Sequence, residues 1–421
     1  MKSNWKICTL GELCDIKNGY AFKSSDFSGS GIPVIKIKNV KPNKILLNDL
    51  SYVPESLAIE KRKWQIEQGT VLLTMTGNRA DGSPDSWVGK AAIFQEEGCY
   101  LLNQRVAAII PKTADIDNDF LGYVLSSWET QVYLIKRANS SGGQANISPD
   151  IVSKMEIILP PIEEQRKIVS VLASISEKIR INDNINNNLA QQVRALIALW
   201  FAEYQPFDGS MPSDWRPILL SEIADFIPGY SYKGDELQQS TTAMASIKNF
   251  ERGGGFKLDG FKEIVPSDKI KDSHSAELFD ILVAHTDLTQ KAEVIGNAEP
   301  VLNMAGYDKI VFSMDLVKVV PKAGISQFLL AGLLQDPKFK AHCLGYVNGT
   351  TVLHLSKKAL PEYELLFPTK VETLRPLSDA LESIYRKQAA VMEENRSLEV
   401  LRDALLPRLM SGEIDVSDVK I

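Results

Sequence analysis

The chain has 421 residues, of which 44% are hydrophobic and 24% charged, and its formal net charge at pH 7 is −6. These values predict a globular cytoplasmic protein with two or three cores, because the chain has neither a signal peptide nor an apolar run long enough to span a membrane. Four cysteines without a CxxC pair and four scattered histidines argue against a disulfide framework and a zinc site.

Two stretches of the chain, 210 residues apart, follow the same pattern. The segment WKICTLGELCDIKNGYAF, which begins at Trp5, is matched from Trp215 by WRPILLSEIADFIPGYSY. The same offset pairs Ile37-Lys38-Asn39 with Ile247-Lys248-Asn249. A repeat with so long a period indicates duplicated domains, since solenoid repeats are only about 20 to 50 residues long.

Each copy is predicted to begin with a short amphipathic segment, at residues 10–16 and 220–226, followed by a turn and then by strands. The strands are runs of β-branched and aromatic residues, namely IPVIKIKNV, GTVLLTMT, KAAIF, RVAAIIP and MEIILP in the first copy, and FDILVAHT, KIVFS, LVKVVP and YELLFP in the second. One helix is predicted within each copy, at 119–137 and 326–344. Both copies then close with a serine that begins a short helix, followed by a strand that ends in proline. The predicted fold class is therefore α+β.

A long helix is predicted after each β-rich copy, because apolar residues recur there at alternating spacings of three and four. The predicted coiled-coil seam comprises Ile168, Leu172, Ile175, Ile179, Leu189, Val193 and Leu196 in the first helix, and Leu377, Leu381, Ile384, Val391, Leu398 and Leu405 in the second. We expect the two helices to pair antiparallel, with Asn182, Asn186, Gln388 and Asn395 fixing the register. The alternative is that both are ordinary core helices.

The chain resembles the specificity (S) subunit of type I restriction-modification enzymes. The resemblance is carried by LGELCDIKNGYAF from Leu10, LPPIEEQRKIVSVLASISEKI from Leu159 and LRDALLPRLMSGEIDV from Leu401. The second helix departs from the family pattern, because it opens with FPTKVETLRPLSDAL in place of the PIEEQ form.

The resemblance implies two β-rich target recognition domains, at 1–160 and 206–368, joined by two antiparallel coiled-coil regions, at 161–205 and 369–421, with pseudo-two-fold internal duplication. Each recognition domain would read one half of a bipartite, asymmetric site in double-stranded DNA. The helices would set the spacer between the halves and dock two methyltransferase (M) subunits, which restriction (R) subunits then join. No cofactor is expected on this chain; S-adenosylmethionine, ATP and Mg²⁺ are expected on its partners, and no membrane partner is expected.

Candidate DNA contacts are polar or basic residues in the loops of the two copies, because such side chains pair with base edges or phosphates. They are Lys36, Lys38, Asn39, Thr76, Asn78, Arg79, Lys90, Arg137, Ser140, Ser141, Gln144 and Asn146 in the first copy, and Lys233, Lys248, Asn249, Arg252, His285, Thr286, Gln290, Lys291, Asn297, Asn348, Thr350 and His354 in the second. Gly142 and Gly143 would permit close backbone approach to a ligand. Each candidate could equally be a solvated loop residue.

No catalytic motif is expected, because the P-loop pattern fails at Ala91 and the only Pro-Pro, at 160–161, lacks the residues of an adenine methyltransferase motif. The net charges of the four segments, +1, 0, −5 and −2 along the chain, argue mildly against a nucleic-acid partner. Two other functions therefore stay open: a recognition subunit of a type IIB-like enzyme, and a structural adaptor that binds protein.

Overall fold

A computed structural model of the chain describes residues 5–47, 49–79, 82, 86–141 and 143–419. The chain folds into two compact units, each of which mixes helix and sheet. Unit 1 comprises Met1–Glu177 and Leu398–Ile421, and unit 2 comprises Lys178–Ser397. Each unit contains part of both long helices, so this division differs from the four segments drawn from the sequence, whose boundaries stay predictions.

The centre of unit 1 is a four-stranded antiparallel sheet in the order Cys14–Asn18, Val106–Pro111, Val71–Thr74, Ala91–Ile93. Its other strands are Lys6–Thr9, Ile32–Ile35, Val40–Lys41, Lys44–Ile45, Ser51–Val53, Thr76–Gly77, Leu101–Leu102, Asn139–Ser141, Gln144–Asn146 and Glu156–Leu159. The short α-helices are Leu10–Leu13, Glu55–Glu60, Asn118–Ser126, Trp128–Arg137 and Pro149–Ser153.

Unit 2 has a central sheet of the same strand order, Ala224–Pro228, Leu316–Pro321, Ile281–Ala284, Ala298–Pro300. Its register also agrees: Val106 lies opposite Thr74 in unit 1, and Leu316 lies opposite Ala284 in unit 2. The other strands are Trp215–Leu219, Thr242–Ala245, Lys262–Glu263, Ser275–Ala276, Thr286–Asp287, Lys309–Phe312, Val347–Asn348, Leu353–Leu355 and Glu364–Pro368, and the short α-helices are Leu220–Ile223, Gln327–Leu334 and Pro337–Leu344.

The third strand in the order of each central sheet is buried along its whole length because both faces of the sheet are covered there. All four residues of Val71–Thr74 and of Ile281–Ala284 are buried. Alternate residues of one strand belong to different clusters: Leu73 packs with Phe120 and the helices, whereas Leu72 packs with the aromatic ring of Phe94. A strand buried on both faces needs such a continuous apolar run, which explains why these runs were recognisable in the sequence.

The chain enters and leaves each β-rich region at neighbouring points. In unit 1 the strand Lys6–Thr9 pairs antiparallel with Glu156–Leu159. In unit 2 the strand Trp215–Leu219 pairs in the same way with Glu364–Pro368. Each β-rich region is therefore closed by a two-stranded sheet at the base of the long helix that follows it.

The single helices predicted at 119–137 and 326–344 are each two helices in the structure. The first is interrupted at Ser127, whose Oγ accepts a hydrogen bond from the Thr130 amide at 3.2 Å and so begins a new helix. The second is interrupted before Pro337, which occupies the first turn of the next helix while Asp336 caps it. The prediction was wrong because a polar cap inside an amphipathic run also marks a helix start.

Two smaller predictions are corrected as well. The run IPVIKIKNV forms the strand Ile32–Ile35, but it then turns into the 3-10 helix Ile37–Asn39 because the Asn39 side chain caps that turn. The serine that begins a short helix is present at Ser148 in unit 1. Its counterpart in unit 2, Ser356, is followed by turns that end at Glu362 and not by a helix.

The long helices are Ile162–Phe201 and Arg375–Met410, of 40 and 36 residues. Their parts within unit 2 run antiparallel, because Asn182 Nδ2 donates to Glu394 Oε2 at 2.9 Å whereas Gln388 Nε2 reaches the Asn186 carbonyl at 3.4 Å. Every residue assigned to the coiled-coil seam is buried or half-buried. Some of this burial is against the β-rich regions, since Leu377 and Leu381 share a core with Phe339.

In unit 1 the ends of both long helices pack into the core of the β-rich region. Ile168 and Leu172 from the first helix share one cluster with Leu406 and Leu409 from the second. The indole of Trp5 donates to Glu164 Oε2 at 3.2 Å, which fixes the start of the first helix against the first strand. The helices are therefore part of the hydrophobic core and not appendages.

A buried polar network in unit 2 joins the second long helix to the sheet. The carboxylate of Glu299 accepts hydrogen bonds from the Gly255 amide at 2.6 Å and from Gln335 Nε2 at 2.8 Å. The amide oxygen of Gln335 accepts in turn from the buried Tyr385 hydroxyl at 2.8 Å. Burial raises the pKa of Glu299 to about 7, although these hydrogen bonds and the nearby Arg194 oppose the change.

The Glu299 carboxyl is expected to make the stability of unit 2 depend on pH. The folded state binds this proton more tightly than the unfolded chain, so its contribution is full below about pH 4.5 and is lost as the pH rises through 7. We expect Glu299→Gln to remove on the order of 3 kcal/mol of pH dependence between pH 4.5 and 8. Urea unfolding across this range measures it, with the exposed Glu277→Gln as control. Parallel pH profiles of wild type and Glu299→Gln would contradict the assignment.

Candidate nucleic-acid interface

A small three-stranded sheet in unit 1 brings several predicted contacts together. The strand Thr76–Gly77 continues from the central sheet and pairs with Gln144–Asn146, which pairs with Asn139–Ser141. The hydroxyl of Thr76 donates to Asn146 Oδ1 at 2.9 Å, and Gln144 is exposed beside it. We call this the hairpin sheet of unit 1.

The loop after the hairpin sheet is anchored at both ends. The Asn78 amide donates to the Ser86 carbonyl at 2.6 Å, and the guanidinium of Arg79 donates to the Ala138 carbonyl. The indole N–H of Trp87 donates to the Gly82 carbonyl at 2.8 Å. The centre of the Trp87 ring lies 5.7 Å from that of Trp128. Asn78 and Arg79 are thus held at the rim of the hairpin sheet. The loop residues 80, 81 and 83–85 lie outside the described part of the chain.

Arg137 ends the helix that leads into the hairpin sheet. Its exposed guanidinium stacks over the ring of Tyr133 at 3.6 Å, which orients the cation at the surface. The backbones of Ser140 and Ser141 lie in the next strand, but their side chains, like the whole of Gly142, lie outside what the structure describes. Gly143 has φ of +80°, a left-handed conformation that suits glycine in this tight turn.

Unit 2 has a corresponding hairpin sheet, made of Thr286–Asp287, Leu353–Leu355 and Val347–Asn348. Thr286 lies opposite His354, as Thr76 lies opposite Asn146 in unit 1. The hairpin sheet of unit 2 and its loops therefore bring together six of the residues predicted from the sequence: His285, Thr286, Gln290, Asn348, Thr350 and His354. Gln290 Nε2 donates to the Thr350 carbonyl at 2.6 Å, and Lys291 is exposed next to it.

Asp315 accepts two hydrogen bonds from residues at the second hairpin sheet. Its carboxylate accepts from the Thr286 hydroxyl at 3.0 Å, and its carbonyl accepts from the His285 amide at 2.8 Å. Burial lowers the pKa of His285, with His354 and Lys357 adding to the effect and Asp315 opposing it. The His285 imidazole is therefore neutral at pH 7 and can both donate and accept hydrogen bonds.

The basic candidates outside the hairpin sheets have varied surroundings. Lys36 is half-buried with Nζ 3.5 Å from the Phe27 ring centre, and burial together with Lys38 lowers its pKa. Lys38 pairs with Asp49 at 2.7 Å, and Arg252 pairs with Glu293 at 3.3 Å. Lys90 is buried, whereas Lys233 and Lys248 are exposed.

Three predicted asparagines have structural roles instead. Asn39 is buried, with Oδ1 accepting from the Lys36 amide at 3.0 Å and Nδ2 donating to the Leu46 carbonyl at 2.9 Å. Asn249 repeats this arrangement in unit 2. The buried Asn297 donates to the Glu251 carbonyl and accepts from Lys340. We correct these three assignments, because a buried amide whose hydrogen bonds are made within the protein does not reach a base edge.

Sequence reasoning missed the turn before the central strand. Arg105 is exposed there, and its carbonyl accepts the Met75 amide at 2.9 Å, immediately before the hairpin sheet. The residue 210 positions later is Asp315, which contacts the hairpin sheet of unit 2 directly. The two copies of the repeat match closely around these positions but carry opposite charges at Arg105 and Asp315. This difference was the signal in the sequence that could have identified both residues.

The part of the chain that the structure describes contains no group of three His, Cys, Asp or Glu side chains able to hold a metal ion. It also contains no helix that is long and apolar enough to cross a membrane.

Known proteins are similar in sequence to this chain along almost its whole length. Residues 2–191 match the family model of the type I restriction modification DNA specificity domain. The type I restriction enzyme HindI specificity subunit of Haemophilus influenzae is 24% identical over 98% of this chain and 100% of its own length. The chain is similar to type I restriction enzyme specificity subunits along almost its whole length. The resemblance predicted from the sequence is confirmed.

Two further members of the specificity-subunit family illustrate the range of similarity. The MjaVIII specificity subunit of Methanocaldococcus jannaschii is 30% identical over 42% of this chain and 41% of its own length. The crystal structure of the S subunit of a type I restriction-modification system from M. genitalium aligns with 97% of this chain and 98% of its own. Its sequence identity is 16% and its TM-score is 0.48.

The structural role of Asn39 is testable. We expect Asn39→Ala to lower the free energy of unfolding by about 1 to 3 kcal/mol, because it leaves buried backbone groups of the Lys36–Leu46 loop unpaired. The adjacent, exposed Lys38→Ala is the control, with an expected loss below about 1 kcal/mol because its ion pair is at the surface. Denaturant unfolding measures both. Unchanged stability combined with altered DNA sequence preference in Asn39→Ala would reinstate it as a DNA contact.

Proposed function

We propose that this specificity subunit reads a bipartite, asymmetric sequence in double-stranded DNA, with one half of the site read at each hairpin sheet. The observation that supports this most is the combination of a shared scaffold with different side chains. Thr76 faces Asn146 in one hairpin sheet, and Thr286 faces His354 at the same register in the other. Two readers of this kind would recognise different sequences in a similar manner.

The exposed and half-buried side chains at the hairpin sheets have the chemistry of base recognition. Gln144 and Asn78 carry amides of the kind that pair bidentately with adenine, and Arg79 carries the group that pairs with guanine. In the second sheet His354, Asn348 and Gln290 offer a different set of donors and acceptors. Base contacts of this type give sequence preference, whereas the basic candidates would position the duplex through its phosphates.

We propose further that the chain arose by internal duplication and that its long helices form an antiparallel coiled coil. The equal strand order and register of the two central sheets support the duplication. The contacts of Asn182 with Glu394 and of Asn395 with Asp183 support the pairing. In this proposal the paired helices set the number of base pairs between the two half-sites.

The catalytic steps are assigned in this proposal to partner subunits. Two methyltransferase subunits would dock on the helical regions, and restriction subunits would join that core. S-adenosylmethionine, ATP and Mg²⁺ would bind to those partners, and this chain would supply recognition alone. The similarity of the chain to specificity subunits supports this division of labour.

Lengthening both helices together tests their role in spacing. We expect a variant that duplicates residues 182–188 and 388–394, which contact each other, to keep the pairing register and add seven residues to each helix. Seven residues lengthen a helix by about 10 Å, or about three base pairs of duplex. Mapping methylated adenines in cells that carry the whole system should reveal a spacer longer by about that number. An unchanged spacer in an active variant would contradict the role.

Single substitutions in the two hairpin sheets test the division of the site. We expect Gln144→Ala to relax recognition in one half-site and His354→Ala to relax it in the other, each by about 1 to 3 kcal/mol at one base pair. Binding of the full chain with its methyltransferase partners to duplexes changed at each position measures this. Each variant serves as the control for the other. Effects of both variants on the same half-site would count against the proposal.

A further inference from the structure

A basic segment of unit 1 is held at the surface by aromatic residues. The 3-10 helix Arg62–Trp64 follows Lys61, and the Trp64 ring packs 4.8 Å from the ring of Tyr20. Lys61 Nζ lies 4.6 Å from the Tyr20 ring centre, and Lys63 Nζ lies 5.7 Å from that of Trp64. The side chains of Arg62 and Lys63 are exposed, so the aromatic pair supports two cations in water.

This segment is connected to the hairpin sheet by a short chain of backbone contacts. The Tyr20 amide donates to the Leu102 carbonyl at 2.8 Å, and the Gln104 amide donates back to Tyr20 at 2.9 Å. The next residue, Arg105, accepts the Met75 amide immediately before Thr76. The basic segment, Arg105 and the hairpin sheet therefore follow one another along one edge of unit 1. We call Lys61, Arg62, Lys63 and Arg105 the basic strip.

Most of the positive charge of the basic strip is not balanced by a paired carboxylate. Glu60 pairs with Lys61 at 2.5 Å. Among the residues that the structure describes, no carboxylate pairs with Arg62, Lys63 or Arg105. Three exposed cations on the edge that carries a candidate base-reading surface are suited to phosphate oxygens, which are spaced regularly along a duplex.

Unit 2 has the same ring and backbone contacts at the equivalent positions, but its side chains there carry different charges. Tyr230 packs 5.6 Å from His274, as Tyr20 packs on Trp64, and the Met314 amide donates to the Tyr230 carbonyl as that of Gln104 does to Tyr20. The positions equivalent to Arg62 and Arg105 are Asp272 and Asp315. The edge of unit 2 is therefore slightly acidic where that of unit 1 is strongly basic.

We propose that the basic strip binds backbone phosphates of the DNA duplex and that unit 1 is the electrostatic anchor of the subunit. This inference rests on the proposed function, since it takes the hairpin sheets to face DNA. Lysine and arginine contacts to phosphate carry no sequence information, so the strip adds affinity equally for target and random duplexes. Unit 2 contributes base recognition with little phosphate binding along the equivalent edge.

The double variant Arg62→Gln/Lys63→Gln tests the strip through salt dependence. Each phosphate contact adds about 0.9 to the slope of log K against log salt, so we expect the slope to become shallower by about 1.8. The affinity loss between 50 and 200 mM salt should then shrink about 10-fold. The full chain with its methyltransferase partners is titrated with fluorescent target and random duplexes. The variant should weaken binding to both duplexes alike.

A matched control removes the same charge elsewhere in unit 1. Lys6 and Lys154 are exposed and lie by the sheet that closes the β-rich region, at the other end of the strand Val106–Pro111 from Arg105. That strand has six residues and is about 20 Å long. We expect Lys6→Gln/Lys154→Gln to keep the wild-type slope. Equal slopes for wild type and Arg62→Gln/Lys63→Gln, or an equal loss in the control, would overturn the inference.

A gain-of-function variant excludes misfolding as the cause. Asp272→Arg/Ser273→Lys places the missing cations at the equivalent positions of unit 2, and we expect it to steepen the salt slope by about 1.8. An unchanged slope would show that this edge does not meet the duplex and would overturn the inference. Failure of the proposed function is distinguishable, because the wild type would then bind target and random duplexes equally.

Discussion

The pairing of one central strand in each unit is the constraint on which the rest of the structure depends. Val106–Pro111 and Leu316–Pro321 are each hydrogen-bonded on both sides, and one partner of each, Val71–Thr74 or Ile281–Ala284, is buried on both faces. A slip of one residue would turn every side chain of these partners to the opposite cluster, so burial fixes the register. The register in turn determines where the chain leaves the central sheet, and therefore where Thr76 and Thr286 begin the hairpin sheets.

Burial divides the polar side chains into two groups with different roles. Asn39, Asn249 and Asn297 are buried, where an unpaired amide is costly, and each amide donates to a backbone carbonyl. Gln144 and His354 are exposed on strands whose positions the central sheet has already fixed. Polar groups that hold loops can be shared between the units, whereas polar groups that contact a ligand can differ.

Much of the fold could be predicted because its physical signals are local. Continuous apolar runs identified the buried strands, and the alternation of three and four identified the long helices. The helix breaks at Ser127 and Pro337 were missed because amphipathic periodicity continues across them, although the caps were visible in the sequence. The candidate site was recovered only in part. Arg105 and the Lys61–Trp64 segment are distant in sequence from the hairpin sheet, and only the folded chain brings them to one edge.

The paired strands Lys6–Thr9 and Glu156–Leu159 place the two ends of the first β-rich region side by side, and Trp215–Leu219 and Glu364–Pro368 do the same for the second. A region whose ends meet can be exchanged as a cassette, since a replacement needs only to supply the same two closing strands and the hydrophobic residues beneath them. Under the proposed function, recombination between related genes would change half of a recognition sequence in one step, while the remaining half and the helices would be inherited intact.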